Sequence, residues 1–446
     1  MMFLRHGIAC ALIAIASGSQ AQNRETTPNV LVIIADDLGW NDVGFHSRSA
    51  PTPNLNRLAK EGLELQRFYT YPVCSPARAA FLTGQMPRRF GLAGVIGPQQ
   101  EGLPAGVATL PAAFRAAGYQ TSLIGKWHLG NFHPPMQIGF DHFYGFMGPE
   151  IDYFTHTGQR GGRTDWQRDG RTVDEPGYST YLLADEAIRQ IKQRDARRPF
   201  FIDVAFNAPH FPLAAPAELI AKHRNDGGLY AAVLEALDIA IGRILTTLDE
   251  QKLRNDTIVV FFSDNGAPVR TSRNTPLSYG KESVFEGGIR TPCVIRWPGQ
   301  IQAGTTTQHP VSGQDWFPTL AAAAGVSLPA GARLDGSNQW PALCSGKDTA
   351  REPFLIAASD IALIDGDWKL IERSTGKLSL FNLRTDVSET KDIYAQEAEL
   401  ARRLTARLDD LKKDLPPAAP GRGAGGPMGR GKGKGKGPPK GRPMAR

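Results

Sequence analysis

Short apolar runs rich in β-branched and aromatic residues alternate along the chain with longer stretches in which apolar residues recur every three or four positions. The run "NVLVIIADD" at 29–37 is uniformly apolar until it breaks into two carboxylates. Thr52-Pro53 then supplies an N-cap and a first helical position for a helix through Glu61. "TLPAAFRAAG" (109–118) reads as a helix ended by Gly118, with a strand over 119–125 behind it. A buried strand is expected at 198–206, a long helix from Leu229 to Gln251, and another strand over 256–266. Strand–helix alternation of this kind predicts an α/β fold, a parallel or mostly parallel sheet covered by helices on both faces. Ligands of such sheets bind beyond the carboxyl ends of the strands.

That rule singles out Asp36 and Asp37 after one expected strand and Asp264 and Asn265 after another. Three carboxylates and an amide oxygen at one sheet edge repel unless a cation or a proton intervenes. Hard oxygen ligands suit Ca²⁺ or Mg²⁺, and several carboxylates lean towards Ca²⁺. Either pair taken alone is also ordinary turn chemistry, since Asp, Asn and Gly are common after strands. Further polar residues stand where loops should follow strands: Lys126 and His128 in "GKWHLG", His210 in "NAPHFP", and Lys281 in "GKESVFEGGIRTP". Singly, each is equally a solvated lysine or a satisfied histidine.

Composition changes the picture mainly at the two ends. Arg5, the apolar run from Ile8 to Ala16 and Ser19-Gln20-Ala21 have the form of a secretory signal over 1–21, so export to the periplasm or the extracellular space is expected. Cys10 leaves with that segment. Cys74, Cys293 and Cys344 remain, and an odd number in an oxidising compartment leaves at least one thiol unpaired within the chain. Cys293 and Cys344 could pair, or each could stay a thiol. From 416 to 446 the chain is almost all Gly, Pro, Lys and Arg, with eight basic residues and no acidic one; it reads as a disordered tail that either is simply solvated or contacts polyanions. With those eight and Arg5 set aside, 42 basic residues face 44 acidic ones, so the formal charge of +7 belongs to the tail. A folded body near neutrality argues against nucleic-acid binding. No later apolar run approaches the roughly 18 residues that span a bilayer, so no transmembrane segment is expected.

Cys74-Ser75-Pro76-Ala77-Arg78, followed by Leu82-Thr83-Gly84, resembles the CxPxR…LTG signature of the type I sulfatases, relatives of alkaline phosphatase in fold. Asp36-Asp37, "GKWHLG", "NAPHFP", "SDNG" and "KESVFEGGIRTP" stand in the family order, so the resemblance covers nearly the whole body. It implies a large mostly parallel or mixed sheet between helices over 22–340. A smaller C-terminal subdomain of antiparallel sheet plus helix would occupy 341–415, built on "DGDWKLI", "LSLFNLRTDVSETKDI" and a helix near 397–413.

The resemblance further implies that a maturation enzyme oxidises Cys74 to Cα-formylglycine, whose hydrate attacks sulfate sulfur and later collapses to the aldehyde, expelling sulfate. Asp36, Asp37, Asp264 and Asn265 would hold Ca²⁺, or Mg²⁺, beside residue 74. Arg78 would steady the diol, Lys126 and Lys281 would clamp the sulfate, and His128 and His210 would serve as base and acid, in an order the sequence leaves open. The segment 139–156, "GFDHFYGFMGPEIDYFTH", is similar to one in sulfatases of 4-sulfated N-acetylgalactosamine, although its aromatics also suit core packing and Asp152 and His156 also suit an exposed surface. The expected function is an exported sulfatase of sulfated carbohydrates, leaning to a hexosamine or galactose sulfate. Two alternatives are a phosphonate or phosphate ester hydrolase with the same nucleophile, and a polyanion-binding protein acting through its tail.

Overall fold

The computed structural model describes residues 27–97, 100–158, 162–270, 274–346 and 350–416. The expected signal segment 1–21 and the basic tail beyond Pro416 lie outside the described residues.

The chain opens with β1 (Asn29–Ala35), α1 (Pro53–Glu61), β2 (Leu63–Leu65), β3 (Phe68–Tyr69) and α2 (Cys74–Thr83). It continues through α3 (Leu110–Ala116), β4 (Gln120–Lys126), β5 (His142–Phe146), β6 (Gln167–Arg168) and β7 (Arg171–Thr172). Next come α4 (Ser179–Gln193), β8 (Phe200–Ala205), α5 (Ala217–Lys222), α6 (Gly228–Glu250) and β9 (Thr257–Ser263). A third stretch holds α7 (Glu286–Ile289), β10 (Cys293–Arg296), β11 (Thr305–Thr307), β12 (Val311–Ser312), α8 (Trp316–Ala323) and α9 (Trp340–Ser345). The chain closes with β13 (Phe354–Ala357), β14 (Ile361–Asp365), β15 (Trp368–Glu372), β16 (Leu378–Asn382) and α10 (Ala398–Lys412). Helices and strands expected from periodicity fall where the pattern places them, within two or three residues at their ends.

Ten strands form one sheet in the order β11-β2-β10-β9-β1-β8-β4-β5-β6-β7. Its centre, from β9 across to β5, is parallel. The flanks are not: β10 runs antiparallel to β9 and β6 antiparallel to β5, so the sheet is mixed. Among the described residues, the link from β9 to β10 holds only the one-turn α7, and a chain that returns along its neighbour needs no crossover helix. Alternation along β1 explains the layering. Val30, Val32 and Ile34 pack with Phe81 of α2, Phe114 of α3 and Trp316 of α8. Leu31, Ile33 and Ala35 pack on the other face with Leu183 of α4 and Leu237 and Ile241 of α6.

The four C-terminal strands make a separate antiparallel sheet in chain order. Leu363, Leu370 and Leu380 on one face meet Leu404 and Leu408 of α10. On the other face, Ile356, Ile364 and Phe381 meet Ala77 and Ala80, so this sheet buttresses α2 directly. Cys293 is buried on β10, Cys344 is exposed at the end of α9, and both are free thiols, as is Cys74. Among the described residues, no helix is long and apolar enough to cross a membrane.

Candidate active site

Parallel pairing of β1 with β9 sets Ala35 opposite Ser263, so Asp36 and Asp264 leave the sheet side by side. β8 and β4, on the far side of β1, deliver His210 and Lys126–His128 to the same edge. Successive side chains of an extended strand point to opposite faces, which would separate Asp36 from Asp37. Asp37 instead adopts a left-handed backbone with φ of 66°. Asp36 is tied to the β8 loop by its N–H, which donates to the Ala208 carbonyl at 3.1 Å.

Cys74 occupies the first turn of α2, after an extended Val73 that offers no side-chain cap, the end at which a helix presents backbone N–H groups without intrahelical partners. Its Sγ lies 3.4 Å from Asp36 Oδ1 and 3.6 Å from Lys281 Nζ. One turn along α2, Arg78 donates to Asp264 Oδ2 at 2.8 Å and to the Lys126 carbonyl at 3.1 Å, and comes within 3.8 Å of Asp36. Lys126 Nζ donates to Asp36 Oδ2 at 2.5 Å, and Lys281 Nζ to Asp37 Oδ2 at 2.8 Å. His210 Nε2 approaches that same Asp37 oxygen at 3.6 Å, while its Nδ1 donates to the Phe211 carbonyl at 2.6 Å. His128 is held differently: its Nε2 lies 3.1 Å from the Ile96 carbonyl, and its buried Nδ1 has no hydrogen-bond partner among the described residues.

Charge crowding sets the electrostatics. Burial penalises ionisation of Asp36, yet Lys126, His210, Arg78 and Lys281 together hold its carboxyl below the ordinary range. Asp264, buried beside Asp36, is pushed up to about 7 despite Arg78. Burial and the Asp36 carboxylate drive the Cys74 thiol far up, so it is protonated and inert as a thiolate nucleophile. Burial, with Lys126 and Arg78, keeps His128 well below the usual histidine value, hence neutral.

The donor set fits a hard divalent cation. Ligand atoms of Asp36, Asp37, Cys74 and His210 lie within 4.8 Å of one another. Asp264 Oδ1 accepts from the Asp37 N–H at 3.2 Å, and Asn265 Nδ2 donates to Asp37 Oδ1 at 2.7 Å, so both join the cluster. Asn265 Oδ1 is buried with no donor among the described residues, an orphan acceptor of the kind a cation satisfies.

Every residue to which the resemblance gives a catalytic or metal-holding role therefore reaches this edge, while others nearby carried no such role. Glu150 Oε2 stands 3.9 Å from His210 Nδ1; it lies within the segment 139–156, where only Asp152 and His156 drew attention. Asp203 lies buried in the middle of β8, and a lone carboxylate inside "RPFFIDVAF" was the available signal. The alternative of an exposed His156 is corrected: the ring is buried, stacked on Trp166 at 4.4 Å between centroids. Asp152 accepts from the N–H groups of Phe154 and Thr155 and so closes a local turn.

Comparison with known proteins agrees with this geometry. The sulfatase family profile matches residues 28–326, and the profile "N-sulphoglucosamine sulphohydrolase, C-terminal" matches residues 278–414. The chain is 34% identical over 373 residues to N-acetylgalactosamine-6-sulfatase of Canis lupus familiaris, covering 77% of this chain and 71% of the relative. It is 30% identical to arylsulfatase J of Mus musculus, covering 87% and 76%. The crystal structure of Ps i-CgsB in complex with k-i-k-neocarrahexaose superposes with a TM-score of 0.83 at 32% identity, covering 88% of this chain and 94% of that one. With an alkaline-phosphatase-like sheet and the site at its carboxyl edge, the chain belongs to the sulfatase family and is a sulfuric ester hydrolase.

Proposed function

We propose that this protein removes sulfate from sulfated carbohydrates, a hexosamine or galactose sulfate foremost, using residue 74 in matured form. The observation that carries this is the placement of Cys74: an inert, buried thiol at a helix N-terminus, between Asp36 and Lys281 and beside an orphan metal-type acceptor. The relatives named for N-acetylgalactosamine sulfate and the neighbour solved with a carrageenan hexasaccharide support a sulfated sugar. Oxidation of Cys74 to Cα-formylglycine would supply, as the hydrate, the attacking oxygen that the thiol cannot. Asp36, Asp37, Asp264 and Asn265 would hold Ca²⁺, or Mg²⁺, which when bound supplies Lewis-acid polarisation of a sulfate oxygen.

The chain's own side chains do the rest. Arg78 is fixed by Asp264 and the Lys126 carbonyl, so its charge faces residue 74 without reorganising. Lys126 and Lys281 bracket the position a sulfate would take, each already paired with a carboxylate of the cluster. His210 spends Nδ1–H on the Phe211 carbonyl, so in its imidazolium form the second proton, on Nε2, is the one it would deliver to the departing alcohol. His128 spends Nε2–H on the Ile96 carbonyl, which leaves the Nδ1 lone pair as the base. The Asp36 and Asp37 carboxylates favour the protonated form of His210, whereas Lys126 and Arg78 disfavour that of His128, which supports His210 as acid and His128 as base. The signal pattern over 1–21 supports export, and the Gly/Pro/Lys composition of the tail supports contact with polyanions.

The test is the mass of the peptide spanning residue 74 from active enzyme, together with rates on paired sulfate and phosphate esters. We expect an aldehyde in place of the thiol, a strong preference for sulfate, and no turnover by Cys74→Ala. Full activity with an intact thiol would overturn the mechanism, and a large preference for phosphate would overturn the substrate.

A further inference from the structure

Among the described residues, ten large apolar side chains are more than a third exposed. Six of them, Val95, Phe132, Phe154, Phe211, Val269 and Tyr279, lie within four residues of a site residue or its contacting partner. More than half of the exposed apolar side chains thus stand on the loops that carry the site residues. Exposed apolar patches rimmed by polar groups mark binding surfaces.

Two of the six stand closest to the chemistry. Phe211, 42% exposed, directly follows His210 and accepts its Nδ1–H through the backbone carbonyl. Tyr279, 60% exposed, precedes Lys281 by two residues. His210 and Lys281 converge on a single oxygen of Asp37, so the loops that bear the two rings meet at that carboxylate.

Tyr279 is also strained. Its φ of 58° is a left-handed conformation that glycine adopts freely and a bulky residue does not. Hydrogen bonds on both sides impose it: Asn274 Nδ2 donates to the Tyr279 carbonyl at 3.0 Å, and Gly287 N–H to the Ser278 carbonyl at 2.8 Å. The ring leans on Phe285, 4.5 Å between centroids, which fixes its direction. A ring this exposed, on a backbone this unfavourable, contributes little to packing. Its use lies outside the fold.

We propose that Tyr279 and Phe211 form an aromatic clamp for the sugar ring that carries the sulfate, holding its apolar C–H faces while the sulfate is gripped below. The clamp rests on the proposed sugar sulfatase function. It makes the two rings specificity determinants rather than catalytic residues, with their binding energy read mainly in KM.

The experiment compares matured full-length enzyme with Tyr279→Gly, Tyr279→Phe and Phe211→Ala. Substrates are N-acetylgalactosamine 6-sulfate and iota-carrageenan oligosaccharides, and inorganic sulfate serves as a competitive inhibitor that has no sugar. Tyr279→Gly keeps the left-handed backbone accessible, so folding is preserved, and Tyr279→Phe keeps the ring. We expect Tyr279→Gly and Phe211→Ala each to lower kcat/KM on the best sugar sulfate roughly tenfold, mainly through KM, with inhibition by sulfate unchanged. Tyr279→Phe should stay within about twofold of the parent. The clamp is overturned if Tyr279→Gly and Phe211→Ala keep the parental kcat/KM, or if sulfate inhibition weakens in parallel, which would mark damage to the sulfate pocket. A parent enzyme that cleaves aryl or phosphate esters but no sugar sulfate sinks the underlying function, and the clamp with it.

Discussion

Asp203 Oδ1 has no hydrogen-bond partner among the described residues, although the strand around it is wholly buried. Burial raises its carboxyl from 3.8 to about 7, with only Arg78 pulling the other way. A carboxyl whose folded value exceeds its unfolded one binds its proton more tightly in the native state. Its stabilising contribution is therefore fully present below 3.8 and lost as pH rises through about 7. Replacing it with the neutral isostere in Asp203→Asn should flatten that loss. The stability difference between variant and parent should grow from about pH 4 to about pH 7 and then level off, at an order of 4 kcal/mol in urea unfolding. A difference independent of pH would show that Asp203 ionises freely in the fold. His210 carries the second pH argument. Burial lowers it from 6.5, and an acid catalyst works only while protonated, so kcat/KM should fall on the alkaline side from a point below that value. His210→Gln should remove this limb along with most of the rate; a profile that keeps the limb would place the acid elsewhere.

The ends of β1 and β9 carry four like-natured oxygen ligands, and a cation there would tie two neighbouring strands together at their carboxyl termini. Anything that binds only the native state raises its stability by mass action. Chelation should therefore lower the unfolding temperature, added Ca²⁺ should restore it, and Asn265→Ala should weaken the Ca²⁺ dependence in calorimetry, beyond the calcium-independent loss of its hydrogen bonds to Asp37 and Gly266. An unfolding temperature indifferent to chelator would argue against the site. These strands were readable because both are unbroken apolar runs ending in polar turns. The short strands β2, β3, β6, β7, β11 and β12 span only two or three residues, too few to show a period. The reversal at β10 was equally invisible, because a strand's own pattern says nothing of its neighbour's direction. Within the site, residue types were readable and backbone geometry was not. The left-handed Asp37 that brings two adjacent carboxylates together has no signal in "IADDLG".

Across the whole molecule, the C-terminal sheet reaches the active site not only by packing on α2 but also through a buried lysine. Lys369 on β15 pairs with Glu286 and with Glu389, each at 2.8 Å, and all three side chains are fully buried. Glu389 in turn accepts from Ser278 Oγ at 2.7 Å and from the Glu286 N–H at 2.6 Å, fastening both ends of the segment that bears Lys281. Nothing in "DGDWKLI" marks its lysine as the partner of a glutamate 83 residues away, since ion pairing across elements leaves no local pattern. Breaking a buried pair from one side costs more than the pair contributes, because the abandoned charges stay desolvated. Lys369→Met should therefore destabilise the protein by about 3–5 kcal/mol in urea unfolding, and adding Glu389→Gln should recover part of it by removing one orphaned carboxylate. The same pair of variants separates packing from positioning. If the lysine holds the Lys281 segment in place, the single variant should weaken inhibition by inorganic sulfate even at temperatures where it remains fully folded. Parental sulfate inhibition in a folded Lys369→Met enzyme would confine the network to joining the two sheets.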